Sequence, residues 1–143
     1  MSEHDFDTIF PRGETNEAFA EYFTGQSYLH MLTTEGVVIG NVTFEPGCRN
    51  NWHIHQASSG GGQILLATAG SGWYQGEGEQ PVSLLPGSVV VVPAGKKHWH
   101  GAKADSWFTH IAVAVPGEDV RNEWLEPVTD EEYARLGEKV QGA

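Results

Sequence analysis

Five of the seven histidines in this 143-residue chain fall in three short segments with the composition of β-strands. His53 and His55 form one H-x-H pair, His98 and His100 form a second, and His110 lies in a later apolar segment. Side chains at positions i and i+2 of a strand point to the same face. Each pair can therefore direct both imidazoles into one interior, where they suit a divalent transition metal. Two such pairs predict a metal site; the competing interpretation is a set of core or surface histidines without a metal.

The segments that carry the histidines belong to a series of short β-branched stretches that end at glycine and proline. Short strands with turn signals about every 8 to 12 residues are typical of an all-β sandwich or barrel. They do not alternate with long helical patterns, which argues against a parallel α/β sheet. Residues 58–62 are predicted as a flexible loop within the domain. The predicted strands are Gly36–Phe44, Gln63–Ala69, Trp73–Gln75, Val82–Leu85, Val89–Val92 and Ser106–Val115.

Helix signals are confined to the two ends of the chain. The stretch Thr15–Tyr22 favours a short helix. Thr129 followed by Glu132 forms a capping box, which predicts a second helix that runs to about Val140. We expect one domain in three parts: an N-terminal arm with a short helix and a strand that packs on the barrel (1–35), the barrel itself (36–117), and a C-terminal segment with a helix (118–143).

The charge of the chain excludes some classes of partner. Nineteen acidic and eight basic side chains give a formal net charge of −11, which disfavours a nucleic-acid partner. No apolar run reaches the roughly 20 residues that a membrane span needs. The single cysteine, Cys48, cannot form an internal disulfide, so nothing points to secretion. We expect a soluble, cytoplasmic protein that acts on a small molecule.

The histidines are embedded in two motifs that resemble those of the cupin superfamily. This resemblance implies a double-stranded β-helix, or jelly roll, with the metal inside, and assembly as a homo-oligomer (dimer or tetramer). The first motif comprises Gly47, His53, His55, Gln63 and Gly70, and the second comprises Gly87, Pro93 and His98.

The resemblance also implies a fourth metal ligand, which departs from the usual pattern. Gln63 stands where cupins usually have a glutamate, and it follows a glycine-rich insertion. It would join His53, His55 and His98 through its amide oxygen; the alternative is a strand residue bonded to the loop backbone. Four neutral ligands would leave a divalent ion its full charge, so the metal would stabilise alkoxides or enolates strongly. Nitrogen and oxygen ligands without thiolate suit Mn²⁺, Fe²⁺, Ni²⁺ or Zn²⁺.

A narrower resemblance indicates a reaction class. The stretch Lys97–Ala102, together with Thr109, His110 and Gln63, is similar to the cupin-type, manganese-dependent hydroxynitrile lyases. It implies Mn²⁺ and cyanohydrin cleavage, with His110 as general base, assisted by His100. The residues expected to form an apolar wall for the substrate are Phe44, Trp107 or Phe108.

Other functions stay open at this stage. Three histidines around Fe²⁺ would also leave sites for a substrate and O₂, as in an oxygenase. Some close relatives resemble cupins grouped with carboxymuconolactone decarboxylases. A non-catalytic metal or small-molecule binding protein is a third alternative, and His110 could simply form a hydrogen bond to a buried neighbour.

Overall fold

The computed structural model describes residues 6–136, and β-strands make up most of its regular structure. A six-stranded sheet contains, in spatial order, β1 (Glu14–Thr15), β3 (Ser27–Thr33), β4 (Ile39–Phe44), β13 (Phe108–Ala114), β8 (Gln63–Gly70) and β11 (Val89–Val92). A seven-stranded sheet contains β10 (Val82–Leu84), β9 (Gly72–Gly76), β12 (His98–Ala102), β5 (Arg49–Asn50) and β2 (Phe23–Thr24), together with β6 (His53–Gln56) and β15 (Arg121–Trp124).

The two sheets face each other across a common apolar core. Strands alternate between inward and outward side chains, so Leu65 and Ala67 of β8 meet Tyr74 of β9 and Ala102 of β12 in one buried cluster. Phe44 of β4 belongs to the same cluster and is fully buried. This arrangement is the all-β jelly roll expected from the sequence.

A second cluster covers the outer face of the seven-stranded sheet. Trp52, Trp73 and Trp99 pack there against Val128 and Leu136 of the C-terminal segment. Trp99 points away from its neighbours His98 and His100, because successive side chains of a strand alternate between its two faces. The C-terminal segment therefore closes the outer side of the sheet whose inner side carries the histidines.

The short α1 (Asp130–Ala134) begins as the sequence predicts. The Thr129 hydroxyl accepts a hydrogen bond from the Glu132 backbone N–H at 3.0 Å, and the Glu132 carboxylate accepts one from the Thr129 backbone N–H at 3.0 Å. The predicted continuation of this helix to Val140 lies outside the described residues. No helix within residues 6–136 is long and apolar enough to cross a membrane.

Two local predictions are wrong. The stretch Thr15–Tyr22 is not a regular helix, because it starts in β1 and keeps only a single 3-10 turn at Ala20–Tyr22. The predicted loop 58–62 contains β7 (Ser59–Gly60), which pairs antiparallel with β14 (Gly117–Glu118). Backbone pairing with a distant segment gives these glycine-rich residues a regular conformation that local sequence does not indicate.

Candidate metal centre and pocket

Three of the predicted metal ligands converge on one point inside the barrel. Strands β6 and β12 are antiparallel neighbours, and His53 lies directly opposite His98. Each of His53, His55 and His98 offers one ring nitrogen within 4.8 Å of the other two. All three side chains are buried. The pairing register of two H-x-H strands therefore creates a cluster that could hold a metal ion.

The backbone sets the tautomer of two of these rings in the same way. Nδ1–H of His53 donates to the carbonyl oxygen of Asn51 at 2.8 Å, and Nδ1–H of His98 donates to that of Lys96 at 2.9 Å. Each ring then carries its proton on Nδ1 and leaves a lone pair on Nε2. Within residues 6–136, the buried Nε2 of His98 has no hydrogen-bond partner. A cation bound there would remove the cost of an unsatisfied buried acceptor, roughly 1–3 kcal/mol.

The third ring lies between two oxygen atoms. His55 Nδ1 is 2.8 Å from Oδ1 of Asn122, and its Nε2 is 3.2 Å from Oε1 of Gln63. A neutral imidazole has a single N–H, so it can donate to only one of these oxygens. A cation shared by Nε2 and the Gln63 oxygen would resolve the mismatch. The donor set of three imidazoles and one amide oxygen thus fits a divalent transition metal.

Gln63 reaches this point because of the residue before it. Gly62 has a φ of +96°, in the left-handed region that favours glycine. A side chain at Gly62 would also collide with the carbonyl oxygen of Val92 on the neighbouring strand. The glycine-rich insertion therefore ends in a conformation that starts β8 with Gln63 facing the pocket.

Burial keeps two of the candidate ligand imidazoles, those of His53 and His98, neutral. Desolvation holds the pKa of His53 well below its ordinary value, and nearby His98 lowers it further. Desolvation is also the main cause that lowers the pKa of His98 to about 4. Because metal ligation requires the deprotonated ring, these side chains are ready to bind a cation at neutral pH.

The remaining two predicted residues form a pair beside the cluster. Nε2 of His110 and Nδ1 of His100 lie 3.0 Å apart, so one ring donates to the other. Asn50 fixes the His100 end, because its side-chain oxygen accepts the His100 backbone N–H at 2.9 Å. His110 is completely buried, and His100 is nearly so.

Both rings of this pair are neutral as well. Burial is the largest cause that lowers the pKa of His100 well below its usual value, with His110 next. Burial lowers the pKa of His110 to about 4. His110 therefore has a buried imidazole partner, the hydrogen bond to a buried neighbour that the alternative interpretation expected.

All six predicted site residues except His98 line one cavity of about 180 Å³, and His98 adjoins it through its ring contact with His53. Among residues 6–136, no acid, lysine or arginine lines it. The cavity is small, on the order of six water volumes at ~30 Å³ each. The apolar part of its lining comprises Phe19, Phe23, Leu29, Met31, Val38, Gly40, Val42, Ala112, Ala114 and Trp124.

The prediction that Phe44, Trp107 or Phe108 forms the apolar wall is therefore wrong. Phe44 and Phe108 are fully buried in the core beneath the cavity and do not line it. Trp107 packs elsewhere, against Phe6 and Tyr28. The actual wall comes largely from strands β2, β3, β4, β13 and β15.

Strand β15 supplies two site residues that sequence reasoning missed. It pairs antiparallel with β6, which sets Asn122 opposite His55 and Trp124 opposite His53. The Trp124 ring lies 4.7 Å from the His53 ring and stacks on Tyr22 at 4.6 Å. The available signal was the i, i+2 spacing of Asn122 and Trp124, which places both on one face of a strand.

Fold and site agree with the comparisons with known proteins. A family profile described as cupin matches residues 29–135, and the chain belongs to this family. A relative from Granulicella tundricola, described as an (R)-mandelonitrile lyase, is 42% identical over 120 residues, which cover 81% of this chain and 88% of that protein.

Solved structures support the same assignment. A cupin-like protein from Thermotoga maritima is 38% identical, with a TM-score of 0.80, and the match covers 91% of this chain and 97% of that chain. A second Thermotoga maritima structure, described as a predicted oxalate decarboxylase, is 16% identical with a TM-score of 0.64, over 77% of this chain and 96% of that chain. At that identity the second likeness shows the fold alone.

Proposed function

We propose that this protein is a metal-dependent lyase that cleaves a small, uncharged hydroxynitrile. The observation that carries the proposal is the combination, at one uncharged cavity, of three convergent imidazoles and a neutral imidazole pair. The 42% identity to a relative described as an (R)-mandelonitrile lyase supports the choice of reaction.

The proposed metal ligands are Nε2 of His53, His55 and His98 and Oε1 of Gln63. Mn²⁺ is the proposed ion, with Fe²⁺, Ni²⁺ and Zn²⁺ as alternatives that the same ligand types accept. When bound, the ion would act as a Lewis acid that lowers the pKa of a hydroxyl group. The absence of a carboxylate among these ligands preserves the charge of the ion.

The pair of His100 and His110 is proposed to move the proton. One proton lies in the hydrogen bond between the rings, and a second sits at one outer nitrogen of the pair. The outer nitrogens are Nε2 of His100, which lies 3.2 Å from the amide nitrogen of Asn50, and Nδ1 of His110, which has no hydrogen-bond partner within residues 6–136. The one that carries no proton is the proposed general base. Its low basicity suits only an acidified hydroxyl, such as one that contacts the metal centre.

The bond changes of the proposed reaction balance with this proton transfer. The imidazole pair takes the hydroxyl proton, and the oxygen forms a carbonyl as the bond between the carbinol carbon and the nitrile carbon breaks. Cyanide leaves with the bonding electrons. The same pair then returns the proton to cyanide, so that hydrogen cyanide and an aldehyde are released and the protein is unchanged.

The cavity supports an uncharged substrate with an apolar group. A carboxylate or phosphate would find no lysine or arginine among the lining residues in the described part of the chain. Phe23 and Trp124 offer ring surfaces, and Leu29 and Val42 offer aliphatic ones. A compact aromatic hydroxynitrile such as mandelonitrile combines the required hydroxyl with such a group.

Metal removal and replacement tests the proposal. Protein stripped with a chelator should lose cleavage of (R)-mandelonitrile, and Mn²⁺ should restore it without O₂ uptake. Full activity in metal-free protein would overturn the metal's role. Substrate-dependent O₂ uptake with Fe²⁺ would favour an oxygenase, and saturable substrate binding without turnover in the metal-loaded protein would favour a binding protein; either result would overturn the lyase.

Three further expectations stay predictions: the boundaries of the three parts of the domain, assembly as a dimer or tetramer, and a cytoplasmic location.

A further inference from the structure

We infer that Asn122 is a positioning residue of the metal site, whose side-chain oxygen holds His55 in the tautomer that presents Nε2 to the cation. The inference rests on the proposed function, because it deepens the account of the same metal centre. It assigns a role to β15, which contributes none of the ligands.

The geometry of β15 brings the two side chains together. Asn122 is paired with His55 in the antiparallel register of β15 and β6. Directly opposite residues on one face have their Cβ atoms about 4.5–5.5 Å apart, which suits a bond between an asparagine and a histidine. Oδ1 of Asn122 lies 2.8 Å from Nδ1 of His55.

His55 needs a side-chain acceptor because it lacks the backbone acceptor that serves the other two rings. His53 and His98 each donate from Nδ1 to the carbonyl two residues earlier in the chain. The equivalent carbonyl for His55 belongs to His53, and the bond it makes instead is to the Asn122 side chain. His55 is thus the ligand whose tautomer a single side-chain substitution can change.

A competing acceptor makes this bond decisive. Oε1 of Gln63 lies 3.2 Å from Nε2 of His55. Without the Asn122 oxygen, the ring would gain a hydrogen bond by moving its proton from Nδ1 to Nε2 and donating it to Gln63. That proton would then occupy the lone pair that the metal requires, and it would have to move before a cation could bind.

The test compares three variants of the full chain for binding of Mn²⁺ and Zn²⁺ in competition with a chelator. Asn122→Leu keeps the branching and the number of side-chain heavy atoms without an acceptor, and should weaken binding by about ten- to a hundredfold, as is typical for loss of such partners. Asn122→Asp keeps an acceptor oxygen and should bind at least as tightly as the wild type. Glu123→Leu is the matched control: it changes the exposed next residue of β15, removes its bond to Gln56, and should leave affinity unchanged.

Nitrogen NMR of the His55 ring in metal-free protein supplies a readout that a merely structural role would not move. We expect the proton on Nδ1 in the wild type and in Asn122→Asp, and on Nε2 in Asn122→Leu. Unchanged metal affinity or an unchanged His55 tautomer in Asn122→Leu would overturn the inference. If Asn122→Leu does not fold, weak metal binding by Asn122→Asp would overturn it. The expected tautomers in a wild-type protein that binds no divalent metal would instead overturn the proposed function.

Discussion

The imidazoles of His100 and His110 share a hydrogen bond of 3.0 Å although they lie on different sheets. His100 comes from β12 of the seven-stranded sheet, and His110 comes from β13 of the six-stranded sheet. Phe44 contacts both rings from the core, with centroid distances of 6.1 and 5.4 Å. The pair therefore depends on how the two sheets of the barrel pack. A substitution at one position removes one ring and leaves the other on its own sheet.

Removal of His110 should greatly slow turnover without loss of metal. In the proposed mechanism His110 belongs to the proton-transfer pair and not to the ligand set, so His110→Ala should lower kcat for (R)-mandelonitrile by about 10²–10⁴-fold, the usual contribution of general acid–base catalysis. Elemental analysis should give the wild-type metal content. His30→Ala, which removes a histidine outside the cavity, is the control; equal activity in both variants would contradict the assigned role.

The position of His110 shows how much local sequence could predict. The H-x-H spacing and strand composition suffice for the inward direction of His53, His55 and His98, because side-chain alternation is a property of the strand itself. The contact of His110 with His100 depends on how two sheets pack, and no local pattern contains that. The family resemblance supplied the expectation that His110 lies at the site.

The two site residues that sequence reasoning does not find lie on a strand that local sequence does not indicate. Strand β15 reads Arg-Asn-Glu-Trp and has no alternation of apolar and polar residues, so its pairing with β6 was not predicted. Sequence reasoning therefore does not identify Asn122 and Trp124 as site residues.

The prediction that Phe44 and Phe108 form the pocket wall is wrong for another reason. Aromatic residues suit such a wall, but in this barrel these two fill the core.

Metal binding should stabilise the folded protein measurably. A ligand at about 100 times its Kd that binds only the native state adds about 2.7 kcal/mol. At this chain length that stabilisation corresponds to a rise in Tm on the order of 10 °C, which differential scanning calorimetry can follow as Mn²⁺ is added. His98→Ala removes a proposed ligand that is fully buried and should abolish the shift. His30→Ala should keep it, and a full shift in His98→Ala would remove His98 from the site.

Replacement of the proposed amide ligand Gln63 by glutamate should change metal affinity and catalytic rate in opposite directions. Gln63→Glu adds a negative charge next to the proposed cation, so we expect a lower Kd for Mn²⁺ because opposite charges attract at close range. The same charge reduces the Lewis acidity of the ion, so kcat should fall. Gln80→Glu makes the same change on the exposed surface and should alter neither quantity. Tighter binding with an undiminished kcat would show that the neutral ligand is not needed for catalysis.

The C-terminal segment should depend on one buried arginine for its docking. Nη2 of Arg49 donates to the carbonyl oxygen of Val128 at 2.9 Å and to the carboxylate of Asp130 at 2.6 Å. Its guanidinium also lies 4.3 Å from the centre of the Tyr133 ring. Arg49→Ala should lower the free energy of unfolding by roughly 1–3 kcal/mol, since it leaves a buried carbonyl unsatisfied. Thermal melts should show this loss, whereas the exposed Arg121→Ala should melt like the wild type; equal Tm values for both would contradict the role of Arg49.

The single cysteine should be protected in the native state, and its ionisation should make stability depend on pH. Cys48 is 1% exposed, and burial is the main cause that raises the pKa of its thiol to about 12. Iodoacetamide reacts with the thiolate, so at pH 9 it should label unfolded protein quickly and native protein very slowly. An unfolded cysteine ionises near pH 8.5; between that value and about 12 the native state therefore keeps a proton that the unfolded state loses. By linkage, the free energy of unfolding should fall as pH rises through this window, and Cys48→Ala should make that fall less steep.

Mass spectrometry follows the iodoacetamide labelling, and rapid labelling of the native protein at pH 9 would contradict the burial of Cys48.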